Sequence, residues 1–284
     1  MAVVQFKVAG AAADPTAEER LLQVGPYSLL LRQSPGESGA ARHLAEGPRI
    51  EWPQDDADNA AAAAAGAGPD LRNVGLVVWS SGFVLADFLL RRPPLGAWPG
   101  VHALDLGAGT GVCGLFLAAA GARVVLTDLP HITPLTRANA AANLGRGGAG
   151  GAAAAPLVAD YEWGEPAAAL AGRVAAAAAE AAGGGPHQQQ QGGDGPDHEI
   201  TYDLIVGADV LYEPRAHAAL LASLTALSAP HTQVYLCYRR RGLGEEAFEA
   251  AAAAAGWAAQ RAPPELLHPE FQGGEYALLA LCQI

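Results

Sequence analysis

The segment from Val101 to Asp128 constrains the fold more than any other. VHALDL at 101–106 has the character of a short buried strand, and GAGTG at 107–111 that of a tight turn. Val112–Ala120 suits a helix ended by Gly121, and RVVLT at 123–127 is a second strand that ends at Asp128. Gly107, Gly109 and Gly111 sit where the first strand hands over to the first helix. Glycine there permits a sharp turn, lets the backbone approach a ligand closely, and leaves helix N–H groups free for polar contacts.

The rest of the chain repeats this alternation. LVVWSSGFVLADFLL at 76–90 takes helical spacing from Ser80, with Ser80 or Ser81 placed to cap and Pro93-Pro94 to stop it. Pro130–Asn143 suits a helix with Gly145 past its end, Leu157–Ala159 a short strand, and Asp203–Ala208 an apolar strand buried on both faces. A helix at Pro214–Ala229, a strand at Thr232–Tyr238, a helix at Glu245–Ala255 and a terminal strand at Tyr276–Cys282 complete the pattern. Such alternation predicts an α/β fold with a parallel, doubly wound sheet. Upstream, Val24–Leu31 reads as one strand, PGESG at 35–39 as a turn, and 55–70 as an exposed acidic and Ala-rich loop. These assignments divide the chain into an N-terminal extension, 1–70, and one α/β domain, 71–284. A low-complexity insertion at about 165–200 interrupts the domain; it is expected to hold at most one helix, and its segment 168–198 to be removable without loss of the fold.

Composition narrows the partners. The net charge is −12, and only Arg239–Arg241 concentrates basic residues, which suits small molecules or a basic protein segment and not a phosphate backbone. Hydrophobic residues reach 51%, but alanine runs such as Ala60–Ala65 and Ala175–Ala179 supply much of that and bury little area each. The core must therefore come from the Val, Leu and Ile strings. MAVVQFKVAG lacks the basic start and apolar core of a signal peptide, and no long apolar window suggests a membrane span. Cys113, Cys237 and Cys282 are widely separated, without metal-ligand spacing, and are expected to be reduced and buried in a cytoplasmic or nuclear protein. A monomer without metal, membrane or nucleic-acid contacts is the expectation.

Two carboxylates bear on what the glycine turn holds. Asp105, two residues before Gly107, places a negative charge at the strand's end, which suits the cationic amino group of S-adenosylmethionine and suits a pyrophosphate badly. Asp128, at the tip of the next strand, is placed to accept hydrogen bonds from ribose hydroxyls of either cofactor class. Gly109, Gly111 and Gly114 also match the G-x-G-x-x-G spacing of dinucleotide sites, so an NAD-dependent oxidoreductase stays open, as does a scaffold without catalysis.

Four blocks carry a resemblance to a known family: VVWSSGFVLADFL at 77–89, LDLGAGTGVCGL at 104–115, VVLTDLP at 124–130 and DLIVGADVLYEP at 203–214. Together they resemble the seven-strand (class I) protein-lysine methyltransferases, the group that includes the valosin-containing-protein lysine methyltransferase and enzymes acting on chaperones and elongation factors. Asp209-Val210-Leu211-Tyr212 is similar to the family's Asp-x-x-Tyr hallmark, and Glu162-Trp163-Gly164 is a shorter fifth match; Asp105 stands where many members carry Glu. The resemblance runs from about Gly75 to Ile284, apart from the insertion.

It implies a Rossmann-like, doubly wound sheet of seven strands, mostly parallel, with an antiparallel terminal strand. It also implies an S-adenosylmethionine site made of Trp79, Gly107, Ala108, Gly109, Asp128, Trp163 and Ala208, joined by Asp105 on the charge argument above. Asp209 would orient the incoming amine and Tyr212 would line a lysine channel. The implied reaction is methyl transfer to a lysine of a protein, with a chaperone or AAA ATPase as the kind of acceptor; a small molecule, a histidine or an arginine is the alternative. On residue type alone, Trp79 equally suits a core or capping aromatic, Trp163 a hydrophobic plug, and Asp209 a helix cap. His131, His217 and His268 have no motif around them and read as surface or capping residues.

Overall fold

A computed structural model of the chain describes residues 17–35, 73–143, 155–182 and 201–284. Strands β1 (Glu19–Val24) and β2 (Tyr27–Arg32) form a hairpin of their own. The main sheet contains β3 (His102–Leu106), β4 (Arg123–Asp128), β5 (Leu157–Asp160), β6 (Leu204–Ala208), β7 (Gln233–Arg239), β8 (Trp257–Arg261) and β9 (Tyr276–Gln283). Their order is β5-β4-β3-β6-β7-β9-β8. Neighbours pair in parallel except β9, which runs antiparallel to both β7 and β8. This is a Rossmann-like doubly wound sheet of seven strands with one antiparallel member.

Helices α1 (Ser80–Arg91), α2 (Val112–Ala119), α3 (Thr133–Asn143), α4 (Ala167–Ala181), α5 (His217–Leu227) and α6 (Ala247–Ala254) cover the sheet. Side chains alternate across a strand, so the central strands supply both cores. Ala103, Leu204 and Val206 pack with Phe83, Phe116 and Leu117 of α1 and α2, and with Leu22 and Leu29 of the hairpin. Leu104, Leu106 and Ile205 pack on the opposite face with Leu170 of α4, Leu220 and Leu224 of α5, and Phe248 of α6. Gly114 sets the approach of α2 to the sheet, since a Cβ there would collide with Leu126 and lie 3.0 Å from an Asp105 oxygen. From β3 the chain builds outward through β4 and β5, then returns to place β6 on β3's other side. That reversal opens a crevice at the carboxyl ends of β3, β4 and β6, where ligands bind in such sheets.

The hairpin is tied to α3 by two asparagines one helical turn apart. Asn143 accepts from the Leu30 N–H at 3.0 Å and donates to the Leu30 carbonyl at 2.9 Å. Asn139 does the same for Arg32, at 2.7 and 3.0 Å, and also donates to the Thr110 carbonyl at 2.9 Å. The i, i+4 spacing puts both amides on one face, where they reach alternate residues of β2 as a third strand would.

Several local expectations change. The strand expected over 24–31 is broken by a turn at Gly25-Pro26, with Gly25 at φ 56, and 19–24 forms the missed first arm. Strand β8 was not foreseen; it is an edge strand whose WAAQR sequence buries only Trp257. Helix α3 begins at Thr133, not Pro130, and so places Pro134 in the first turn, where its missing N–H costs nothing. Neither serine caps α1: Trp79 is the N-cap without a side-chain bond, and the buried Ser81 hydroxyl has no partner among the described residues. Helix α4 lies inside the stretch read as insertion, yet Leu170 and Val174 are buried in the core. Excision of 168–198 would therefore remove core residues. Cys113 and Cys237 are buried as expected, but Cys282 is exposed near the end of β9. The turn at 36–39 and the loop at 55–70 lie outside the described residues. Among the described residues no helix is long and apolar enough to cross a membrane.

Candidate active site

A cavity of about 750 Å³ occupies the crevice. All ten residues singled out from the sequence line it: Trp79, Asp105, Gly107, Ala108, Gly109, Asp128, Trp163, Ala208, Asp209 and Tyr212. Trp79 comes from the N-cap of α1, and the other nine converge because four strand ends meet there. β3 delivers Asp105 and the glycine turn, β4 delivers Asp128, the loop after β5 delivers Trp163, and β6 delivers Ala208 and the Asp-x-x-Tyr segment.

The turn is held from beneath. The N–H groups of Gly107 and Ala108 both donate to the Thr127 carbonyl, at 3.0 and 2.8 Å. Gly107 and Gly109 have φ of 74° and 54°, a region costly for other residues. A Cβ on Gly107 would lie 3.0 Å from the Trp163 ring and from Val210, and one on Gly109 would lie 3.0 Å from the Gly75 carbonyl oxygen. The Thr136 hydroxyl donates to the Gly109 carbonyl at 2.6 Å, so α3 braces the turn from the far side.

Asp105 accepts the Gly114 N–H at 2.8 Å, in the first turn of α2. Burial pushes its carboxyl up to about 7; the Gly114 bond opposes that rise and nearby Asp128 adds to it. Asp128 accepts from Gly109 and Leu129, both at 2.7 Å. Its carboxyl is also raised by burial, against those two bonds and the neighbouring His131. Each carboxylate oxygen has room for a further hydrogen bond. The crevice thus presents one buried and one half-buried acid that a cationic or hydroxyl-bearing ligand would satisfy.

Asp209 has φ 55, the one positive value among described non-glycine residues. Its two oxygens face Arg241, at 2.8 and 3.2 Å, and the first also accepts the Arg239 N–H at 3.0 Å. It caps no helix; Glu213 caps the 3-10 turn Pro214–Ala216 that leads into α5, accepting the Arg215 N–H at 3.2 Å. Tyr212 is half-buried, and burial, then Asp128, Glu213 and Asp209, push its phenol up to about 12, which keeps it protonated. The Trp79 N–H donates to the Val74 carbonyl at 2.7 Å, and the Arg241 guanidinium lies 4.8 Å from the Trp79 ring centre.

A profile of the lysine methyltransferase family matches residues 69–169 and 193–253, more than half of the chain. The chain belongs to the lysine methyltransferase family. The matched stretches contain every residue that lines the cavity, whereas the hairpin, β8 and β9 lie outside them. Among relatives, protein N-lysine methyltransferase METTL21A of Danio rerio is 32% identical over 176 residues, covering 62% of this chain and 65% of that protein. EEF1A lysine methyltransferase 3 of Xenopus tropicalis is 25% identical over 171 residues, covering 60% of each. The chain thus spans less than two thirds of either relative. A solved TehB-like SAM-dependent methyltransferase from Corynebacterium glutamicum superposes with a TM-score of 0.46 at 17% identity, over 81% of this chain and 97% of that one.

The histidines keep out of this family member's cavity. His217 is buried with its Nε2 3.0 Å from the Leu211 carbonyl, His268 accepts the Glu270 N–H at 3.4 Å, and His131 is exposed. Nor is the Arg239–Arg241 run a basic patch: its members pair with Glu275, Glu246 and Asp209 in turn. Arg241 is the participant that sequence reasoning missed.

Proposed function

We propose that the chain is an S-adenosylmethionine-dependent methyltransferase that modifies a lysine side chain of a protein. The observation that carries this reading is the juxtaposition, in one cavity and within the family match, of the glycine turn with Asp105 and Asp128 on one side and Asp209-x-x-Tyr212 on the other. The residues suit the cofactor. Asp105 would take its amino group, Asp128 its ribose hydroxyls, Gly107–Gly109 and Ala208 would admit it closely, and Trp79 and Trp163 would wall its apolar parts. When bound, it supplies an electrophilic methyl group on a sulfonium.

The protein's own task is to deliver a neutral amine in line with that methyl. Lysine has an unperturbed pKa of about 10.4, and the ammonium has no lone pair, so the amine must shed its proton before it can attack. Passage along the phenol of Tyr212 would remove water from the ammonium and favour its neutral form. With the cofactor held by the glycine turn, Asp105 and Asp128, its methyl group would be the acceptor for that amine's lone pair, and the thioether left behind would keep the electrons of the broken carbon–sulfur bond. Fixing the reactants in place supplies most of the acceleration. Among the described residues no histidine lines the cavity, and Tyr212 stays protonated, so we assign the released proton to water.

A chaperone, an AAA ATPase or an elongation factor is the acceptor class we propose, in the cytoplasm and nucleus, with the enzyme acting as a monomer. The relatives' names support a protein lysine as acceptor, and one of them names EEF1A. Calorimetry with S-adenosylmethionine, S-adenosylhomocysteine and NAD tests the cofactor; tight NAD binding would overturn it. Labelling a cell extract, and purified elongation factor 1A separately, with methyl-tritiated cofactor tests the acceptor. Label that maps by mass spectrometry to histidine, arginine or a small molecule would refute lysine.

A further inference from the structure

The wall that carries Asp209 holds a buried ion pair. The Arg241 and Asp209 side chains are 9% and 5% exposed, and their contact is two-pronged. Asp209 lines the cavity while Arg241 stands behind it and covers the Trp79 ring. One guanidinium therefore touches two cavity residues that come from different parts of the chain.

We propose that Arg241 is a positioning residue of the acceptor side: it neutralises Asp209 and braces Trp79, so that an entering amine meets no unpaired carboxylate at that wall. This rests on the methyltransferase reading above. An unpaired carboxylate there would bind an ammonium well and hold it in the protonated state, which cannot accept a methyl group. Paired with Arg241, Asp209 keeps its place and loses most of that pull.

The other ionisable groups around the pair leave this logic intact. Glu245 accepts the Arg241 and Leu243 N–H groups at 3.1 and 2.9 Å and adds a second negative charge beside the guanidinium. Without Arg241, two carboxylates would stand uncompensated. Cys237 is pushed up by burial, and Tyr212 and Tyr276 are raised, so all three are neutral. Glu213 and Asp128 also line the cavity, and both act on Tyr212. Arg239 offers Asp209 its N–H and directs its side chain to Glu275.

The test compares two cofactor analogues on the purified full chain by calorimetry. Sinefungin carries an amine on carbon where the cofactor has its methyl sulfonium; S-adenosylhomocysteine lacks that amine. Their affinity ratio isolates what the site does to a cation at the transfer position, whereas a structural defect weakens both alike. Arg241→Gln is expected to favour sinefungin by about tenfold more than wild type does, the size of an about one-unit pKa effect of a nearby opposite charge. Asp209→Asn should shift the ratio the other way, and Asp209→Asn with Arg241→Gln should return it towards wild type. Should Arg241→Gln fail to fold, Asp209→Asn and the double variant still decide the sign. An unchanged ratio in the single variants overturns the proposal. If wild type binds neither analogue, the cofactor reading has failed and this proposal falls with it.

Discussion

Replacing Asn139 with alanine tests the link between the N-terminal hairpin and the cavity. Asn139 has no exposure, and its amide serves the Arg32 N–H, the Arg32 carbonyl and the Thr110 carbonyl. Thr110 is 2% exposed, so its carbonyl would lose its partner with little water to replace it. A stranded buried acceptor costs about 1–3 kcal/mol, and the two bonds to exposed Arg32 add about 0.5–1 kcal/mol each. Asn139→Ala should therefore cost about 2–5 kcal/mol, or roughly 4–20 °C in melting temperature for a domain of this size. Asn143, half-buried and bonded to Leu30, should cost less, about 1–2 kcal/mol. Urea unfolding followed by far-UV circular dichroism measures both. S-adenosylhomocysteine binding should weaken in Asn139→Ala more than in Asn143→Ala, since only Asn139 touches the glycine turn. An Asn139→Ala protein within about 0.5 kcal/mol of wild type, or a costlier Asn143→Ala, would refute the reasoning.

Four further outcomes are expected. Asp105 titrates near 7 when folded against 3.8 as its ordinary value, so the folded state holds the proton more tightly and Asp105's contribution to stability falls as pH rises through that window. Urea unfolding at pH 5, 6 and 7 should show a fall of up to about 1.4 kcal/mol per pH unit from this group, which Asp105→Asn removes. Gly114→Ala should cost about 1–3 kcal/mol through its collision with Leu126. Gly172→Ala, with nothing within 4 Å of the new Cβ, should stabilise α4 by about 0.5–1 kcal/mol, and thermal melts compare the two. Leu170→Ala, fully buried on α4, should cost about 2–4 kcal/mol in the same melts; a neutral result would return α4 to the status of a dispensable insertion.

The central sheet was legible because its strands are short apolar runs punctuated by glycine and proline. β3, β4 and β6 are buried along most of their length and β7 and β9 over more than half of theirs, so their sequences carry the signal by themselves. β8 is not, since an edge strand needs only one anchoring side chain and Trp257 supplies it. Helix α4 hid for a related reason. AAALAGRVAAAAAEA has the composition of filler, and only Leu170 and Val174 sit on the core, one turn apart. Alanine-rich sequence thus conceals a helix whose contribution rests on two residues. The hairpin was half seen because Gly25-Pro26, a turn signal, was absorbed into a strand defined by the leucines after it.

The cavity was legible for a different reason: every residue named from the sequence except Trp79, the N-cap of α1, stands at or just beyond a strand's carboxyl end, and parallel strands bring those ends together. What stayed hidden were partners from distant segments, such as Asn139 for Arg32, 107 residues away, and Arg241 for Asp209, 32 residues away. Residue type indicates that a buried Asp needs a cation, yet it does not say which. The topology would have supplied it. β6 and β7 are parallel neighbours, with Ala208 opposite Cys237, so the chain emerging from β6 at Asp209 runs beside the chain emerging from β7 at Arg239–Arg241. An acid just past one strand and a basic run just past its neighbour form a pair that the strand order alone predicts, before any side chain is placed.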